Sequence, residues 1–244
     1  MKVRGFTLIE MVLTMVVGVI MVLAIAGFVE SGTKGYADSI NRQRVQTQAQ
    51  FILEKLSREF RDAVPNSFQA SGSCLSFIPI HFSGIYSAIG QDIDFLVGDS
   101  NDDGSEITTI PNGLSMVINP TRREDLFPIN TFDVGNQNQN KNNGHFTLVG
   151  EAKNLVSRSI ADRHYIFDPN DIVEYCVVGN IITRQSLQDA LPLTVADSIV
   201  GSKSGFKYLD PTLQRGGLVH IDLVVEQNSE RSVYQQDVQV LNVP

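Results

Sequence analysis

The sequence has no tryptophan, only two cysteines in 244 residues, and fewer lysines and arginines (19) than aspartates and glutamates (27). Each scarcity excludes something. Two cysteines are too few for a disulfide-framed miniprotein or a four-thiolate zinc site. A formal charge of −8 with no basic block argues against nucleic-acid binding, which depends on neutralising phosphates. Tryptophan is the best sugar-stacking side chain, so its absence disfavours a glycan-binding module. The four histidines, His81, His145, His164 and His220, are scattered, and none has metal-ligand spacing. There is no G-x-S-x-G elbow, because Gly201-Ser202-Lys203-Ser204-Gly205 has lysine at its centre. There is no Walker loop either. Ser31-Gly32-Thr33-Lys34 fits S-x-x-K but has no companion motifs and abuts an apolar run. Arg122-Arg123-Glu124-Asp125 reads as a solvated turn. No catalytic constellation emerges, so neither an enzyme nor a cofactor is expected.

What the chain does have is unevenly placed. Hydrophobic residues make up 42%, too many for disorder and too few for a polytopic membrane protein. Residues 6–29, FTLIEMVLTMVVGVIMVLAIAGFV, carry one formal charge, Glu10. As a helix this run spans roughly 36 Å, enough to cross a hydrocarbon core of about 30 Å. It exceeds the apolar core of about 7 to 15 residues of a cleaved secretory signal. Lys2 and Arg4 precede it and favour the cytoplasmic side, which puts the bulk of the chain across the membrane. A carboxylate in lipid costs about 2.5 to 3.5 kcal/mol, so Glu10 calls for a partner.

Arg4-Gly5-Phe6-Thr7-Leu8-Ile9-Glu10 resembles the signature of type IV prepilins: a short basic leader, Gly, Phe, then Thr-Leu-Ile-Glu opening an apolar helix. The resemblance implies cleavage between Gly5 and Phe6 by a membrane prepilin peptidase and methylation of the new Phe6 amine. It also implies that Glu10 pairs with the amine of a neighbouring subunit during assembly. Such a pair offsets its desolvation only in good geometry, and removing one member strands a buried charge. Arg58-Glu59-Phe60-Arg61-Asp62-Ala63-Val64-Pro65-Asn66-Ser67, followed by Cys74-Leu75-Ser76-Phe77-Ile78-Pro79-Ile80, is similar to the MshO minor pilins. These belong to the biogenesis system of the mannose-sensitive haemagglutinin (MSHA) type IV pilus. That likeness runs over about residues 1–86. Minor pilins of the W type and type II secretion pseudopilins of the J type share the layout. The implied partners are the prepilin peptidase, other major and minor pilins, and an inner-membrane assembly platform. The implied location is a single-pass inner-membrane anchor with a periplasmic head, then the pilus surface, with a role in attachment and biofilm formation. A membrane-tethered ligand-binding adhesin is the alternative from another class.

Gly27, Gly32 and Gly35 each cost a helix about 1 kcal/mol relative to alanine, and predict a hinge or melted turn. Beyond it, Val45, Ala49, Ile52, Leu56, Phe60 and Ala63 recur every three or four residues as one apolar stripe. Glu54 and Arg58 are spaced as a favourable i, i+4 pair. Pro65 stops the helix. Strands are predicted at 75–80, 93–97, 114–118, 146–149, 165–167, 172–178, 181–184, 218–225 and 233–243, with Gly179-Asn180 closing a hairpin. Residues 136–144, NQNQNKNNG, read as an exposed loop that does not pack. Residues 186–215 show no clear period. The expected class is α+β: leader 1–5, membrane helix 6–30, amphipathic helix 31–64, and an antiparallel β head over 65–244.

Cys176 falls in the predicted strand 172–178 and Cys74 at the start of the one at 75–80, both on the extracytoplasmic side, where disulfides persist. A bridge would staple the strand after the helix to the 172–184 hairpin; two buried free thiols are the other reading. Asp99, Asn101 and Asp103, followed by Gly104, match the first half of a calcium loop, D-x-N-x-D-G. The twelfth position is Ile110 instead of Glu, so a Ca2+ site and a solvated acidic turn both remain open.

Overall fold

The computed structural model describes residues 6–98, 106–128, 130–140, 144–186, 189–212, 216–227 and 230–240. A 54-residue helix, α1 (Leu8–Arg61), opens it. The chain divides into two units at Thr47/Gln48. In the first unit, α1 runs without interruption through Gly27, Gly32 and Gly35, so the expected hinge is absent. About 1 kcal/mol per glycine does not break a helix that continues on both sides, and exposed local contacts accompany this stretch. Thr33 donates its hydroxyl to the carbonyls of Val29 and Glu30, and Lys34 pairs with Glu30 at 2.6 Å.

The second unit joins the last turns of α1 to antiparallel sheets. In chain order the strands are β1 (Gln69–Ser71), β2 (Cys74–Phe77), β3 (Phe82–Ile89), β4 (Asp92–Val97), β5 (Ser115–Ile118), β6 (Thr131–Asp133) and β7 (Phe146–Leu148). They continue as β8 (Arg163–Phe167), β9 (Val173–Val178), β10 (Ile181–Ser186), β11 (Leu193–Ala196), β12 (Gly205–Leu209), β13 (Leu218–Gln227) and β14 (Glu230–Gln239). They form a five-stranded sheet β1-β2-β9-β10-β11, a three-stranded sheet β12-β13-β14, and a six-stranded sheet β6-β5-β8-β3-β4-β7. The α+β expectation holds. β1, β3, β6, β11 and β12 were absent from the predicted strands.

The predicted stripe is the buried face of α1: Ala49, Ile52, Leu56 and Phe60 are almost wholly excluded from water. Phe60 is the hub. It meets Phe68, Phe77, Tyr175 and Phe206 edge-on, with ring centroids 5.5 to 6.4 Å apart. Those rings come from the post-helix loop, β2, β9 and β12, so one side chain ties two sheets to the helix. Edge-on pairs add about 0.5 to 1.5 kcal/mol each beyond area burial. The six-stranded sheet is covered on both faces. Along β8, Ile166 joins a cluster with Ile93, Phe95, Met116 and Phe146, while Tyr165 and Phe167 join Val64, Ile78 and Leu126.

Within that sheet, Gly84 of β3 has no room for a side chain. A Cβ there would lie 1.8 Å from the Leu96 carbonyl oxygen and 2.9 Å from His164 Cε1. Gly84→Ala is therefore expected to push β3 from β4 and lower stability by about 1 to 3 kcal/mol, the usual range for overpacking. Gly205→Ala meets nothing within 4 Å and serves as the control. Urea denaturation of both variants checks the contrast, and equal midpoints would refute it.

The 136–144 stretch departs from its expectation in part. Residues 141–143 lie outside the described residues. Before them, Gln137 offers its carbonyl to the Ile110 amide at 2.9 Å, and the Gln139 amide donates to Thr108 at 2.9 Å. The amide-rich run is stitched to a neighbouring segment through its backbone, which its composition does not reveal.

Candidate assembly site

α1 begins at Leu8, and Thr7 provides its cap residue: the Thr7 carbonyl accepts from the amides of Glu10 at 3.1 Å and Met11 at 3.2 Å. Glu10 therefore stands in the first helical turn, at the third helical position. There the unpaired amides and the helix dipole favour a negative charge. Thr7-Leu8-Ile9-Glu10 also has the order of a capping box, T-x-x-E. Sequence reading assigned Glu10 only as a counter-charge for another chain. Its place at the positive end of its own helix is a second reason for a carboxylate there, and the T-x-x-E spacing is the signal that carries it.

The residues around Glu10 are exposed on every side. Phe6, Leu8, Ile9, Met11, Leu13 and Met15 are all more than half accessible, and the pattern continues to Val29. α1 is long and apolar enough to cross a membrane. A helix that is apolar all round needs lipid or other helices about it. Phe6 and Glu10 are thus close together at the start of a naked apolar helix. Gly5, the other half of the expected cleavage site, lies outside the described residues.

The remaining predicted site residues are elsewhere. Cys74 and Cys176 are bonded, with sulfurs 2.07 Å apart, and they face one another in the β2–β9 register with Cα atoms 4.1 Å apart. The disulfide reading holds. Asp99, Asn101 and Asp103 lie outside the described residues. Ile110, at the place of the twelfth calcium ligand, is wholly buried in the apolar cluster of the six-stranded sheet.

Most of the block around residues 58–67 packs or bonds within the head, with Phe60 and residues 63–67 buried. Glu59 accepts from Arg184 Nε at 3.0 Å and pairs with Lys55 at 2.9 Å, clamping α1 to β10. Burial raises the Glu59 carboxyl pKa, but Lys55 and Arg184 outweigh it, so the net position is below the ordinary value. The Tyr175 hydroxyl, buried beside Glu59, is pushed far above its ordinary value by desolvation and by that carboxylate. Glu54, Arg58 and Arg61 line an open groove with Ser57 and Gln236, which hydrogen-bond at 2.8 Å. Asn66, with φ of 62°, turns the chain and donates to the Pro120 carbonyl at 2.7 Å.

Residues 122–125 are not simply a solvated turn. Asp125 accepts from the Thr121 amide and hydroxyl, the Arg122 amide and the Asn130 side chain, at 2.8 to 3.1 Å. Those bonds outweigh the cost of partial burial and hold its pKa below the usual carboxylate value. Leu126 is fully buried, and the Arg123 guanidinium reaches the Ser67 carbonyl. The Asp125 partners are all within five residues, but the Arg123 contact with Ser67 is 56 positions away and no local window contains it.

Residues 1–26 match the prokaryotic N-terminal methylation motif. No curated protein and no solved structure matches the chain. The motif, with the apolar helix it opens, supports a membrane-anchored, type IV pilin- or pseudopilin-like role, with processing by a prepilin peptidase and assembly with other pilins.

Proposed function

We propose that this chain is a minor pilin, a non-catalytic subunit of an MSHA-like type IV pilus. In this reading it is cut between Gly5 and Phe6, methylated on the Phe6 amine, and anchored in the inner membrane with its β head in the periplasm until assembly. The observation that carries the reading is the methylation motif leading directly into an exposed apolar helix with Glu10 in its first turn. Assembly moves that helix from lipid into a bundle of like helices, where the Glu10 carboxylate meets the free amine of a neighbour. The MSHA assignment is supported by the likeness over residues 58–80. A J-type pseudopilin would use the same helix in a different machine, and recovery of the chain in sheared surface filaments separates the two.

Two substitutions test the reading. Gly5→Arg is expected to leave the precursor uncut, seen as a slower band on a denaturing gel; normal processing would overturn the assignment. Glu10→Ala is expected to be processed but to enter filaments at a small fraction of the wild-type level, because the neighbour's amine loses its counter-charge. Wild-type amounts in sheared filaments would contradict it.

A further inference from the structure

Alternation along β2 and β9 sorts their side chains. Leu75, Phe77, Tyr175 and Val177 point into the core. Cys74, Ser76, Glu174 and Cys176 occupy the opposite face and are partly accessible to water. Cys74 is directly opposed to Cys176, and Ser76 to Glu174, so Glu174 sits diagonally across from Cys74 and two residues from Cys176 on one strand. The two sulfurs and a Glu174 carboxylate oxygen all lie within 4.8 Å of one another. In the bonded state the sulfurs have no capacity to ligate. Every chain is made as a dithiol, however, and in that state the same three atoms converge from a rigid antiparallel pair.

We propose that the dithiol form of Cys74 and Cys176, with Glu174, is a three-ligand site for a thiophilic divalent cation of the Zn2+ class. Metal occupancy and disulfide closure at this site then exclude one another. The geometry suits the ion. Zinc–thiolate bonds of about 2.3 Å at a tetrahedral angle need sulfurs about 3.8 Å apart. Opposed cysteines on paired strands reach that separation by small side-chain rotations once the bond is open. Two sulfurs and one oxygen leave the fourth position to water. The electron count is simple. A dithiol reductant gives two electrons and two protons to the pair: the protein S–S bond breaks, two S–H bonds form, and the reductant closes its own disulfide. Zn2+ then displaces both thiol protons to solvent. A metal-held thiolate pair is withdrawn from attack on a disulfide oxidant, so the metal delays closure of the bridge.

The test uses the full chain in detergent, reduced with a dithiol and freed of reductant without oxygen. Cobalt is the spectroscopic probe. Addition of Co2+ is expected to raise a near-ultraviolet thiolate-to-metal band, which Zn2+ abolishes by displacement. Glu174→Gln, which keeps the disulfide when oxidised, is expected to bind Co2+ at least tenfold more weakly. Zn2+ is expected to slow re-oxidation by oxidised glutathione at least tenfold in the wild type and much less in Glu174→Gln. Absence of the band, equal affinity in Glu174→Gln, or re-oxidation indifferent to Zn2+ would each overturn the proposal. So would a reduced chain whose circular dichroism shows it unfolded both with and without the metal. Neither cleavage at Gly5 nor filament assembly enters these readings, so they stand apart from the proposed function.

Discussion

Replacing Cys74 and Cys176 together by serine is expected to lower the stability of the β head by as much as about 4.7 kcal/mol in the chain-entropy model. The bridge spans 102 positions. The loop it closes contains β3 to β8, the whole six-stranded sheet. Opening it frees that stretch in the unfolded state while leaving β2 and β9 to hold their register by ladder hydrogen bonds and the packing of Leu75, Phe77 and Tyr175. The absence of tryptophan helps the measurement. Tyrosine fluorescence during urea unfolding reports on Tyr86, Tyr165 and Tyr175, all buried in the head. A loss under about 0.5 kcal/mol would contradict the stapling role assigned to the bridge.

The second large effect is a pH dependence centred on His164. This residue has no exposure to solvent, and neither ring nitrogen meets a partner at hydrogen-bonding geometry among the described residues. Its ring lies edge-on to Phe95 at 5.3 Å and fills the space that Gly84 leaves open. Burial lowers its pKa from 6.5 to about 4, and the nearby Ile85 backbone offsets only part of that. Between those values the unfolded chain binds a proton that the folded chain refuses. Stability attributable to His164 is therefore complete above about pH 6.5, falls as pH drops toward 4, and is flat below. The full difference is roughly 3 kcal/mol. His220 works in the opposite sense. Asp237 at 2.5 Å, with Asp222, raises its pKa, so its contribution is present at low pH and fades as pH rises, but its exposure keeps it small. Comparing wild type with His164→Leu cancels such contributions. The wild type is expected to lose roughly 3 kcal/mol more than the variant between pH 7 and pH 4. Parallel pH profiles would rule out His164 as the source.

Legibility in the sequence followed the range of the interactions. The apolar stripe of α1 could be read because a period of 3.6 is local, and each predicted stripe residue within the second unit is buried. The hinge at Gly27–Gly35 was over-read: about 1 kcal/mol per glycine does not break a helix that its neighbours continue on both sides. β3 was missed because Ser83, Gly84 and Ser87 are poor strand formers. Gly84 is there for a reason no local window contains, namely the close approach of Leu96 and His164. His164 itself looked like one of four dispersed histidines, since its burial depends on strands β3, β4 and β5, far away in sequence. β11 is only four residues long and leaves its apolar Leu193 exposed while burying Ala196, so its sequence carries no in-and-out alternation to read. At the candidate site, the leader motif was legible residue by residue. The first-turn position of Glu10 is written in Thr7-Leu8-Ile9-Glu10, and two cysteines admit only one intramolecular pairing. The facing register of Cys74 and Cys176, and the carboxylate of Glu174 beside them, needed the sheet.

The account rests on a helix that keeps its apolar anchor but sheds the basic leader ahead of it, leaving a positive amine close to Glu10. Intact-mass measurement of the chain purified from its native cells reads this directly. The expected species begins at Phe6 and is one methyl group heavier than residues 6–244 with the disulfide closed. A species that retains Met1 to Gly5 would contradict it.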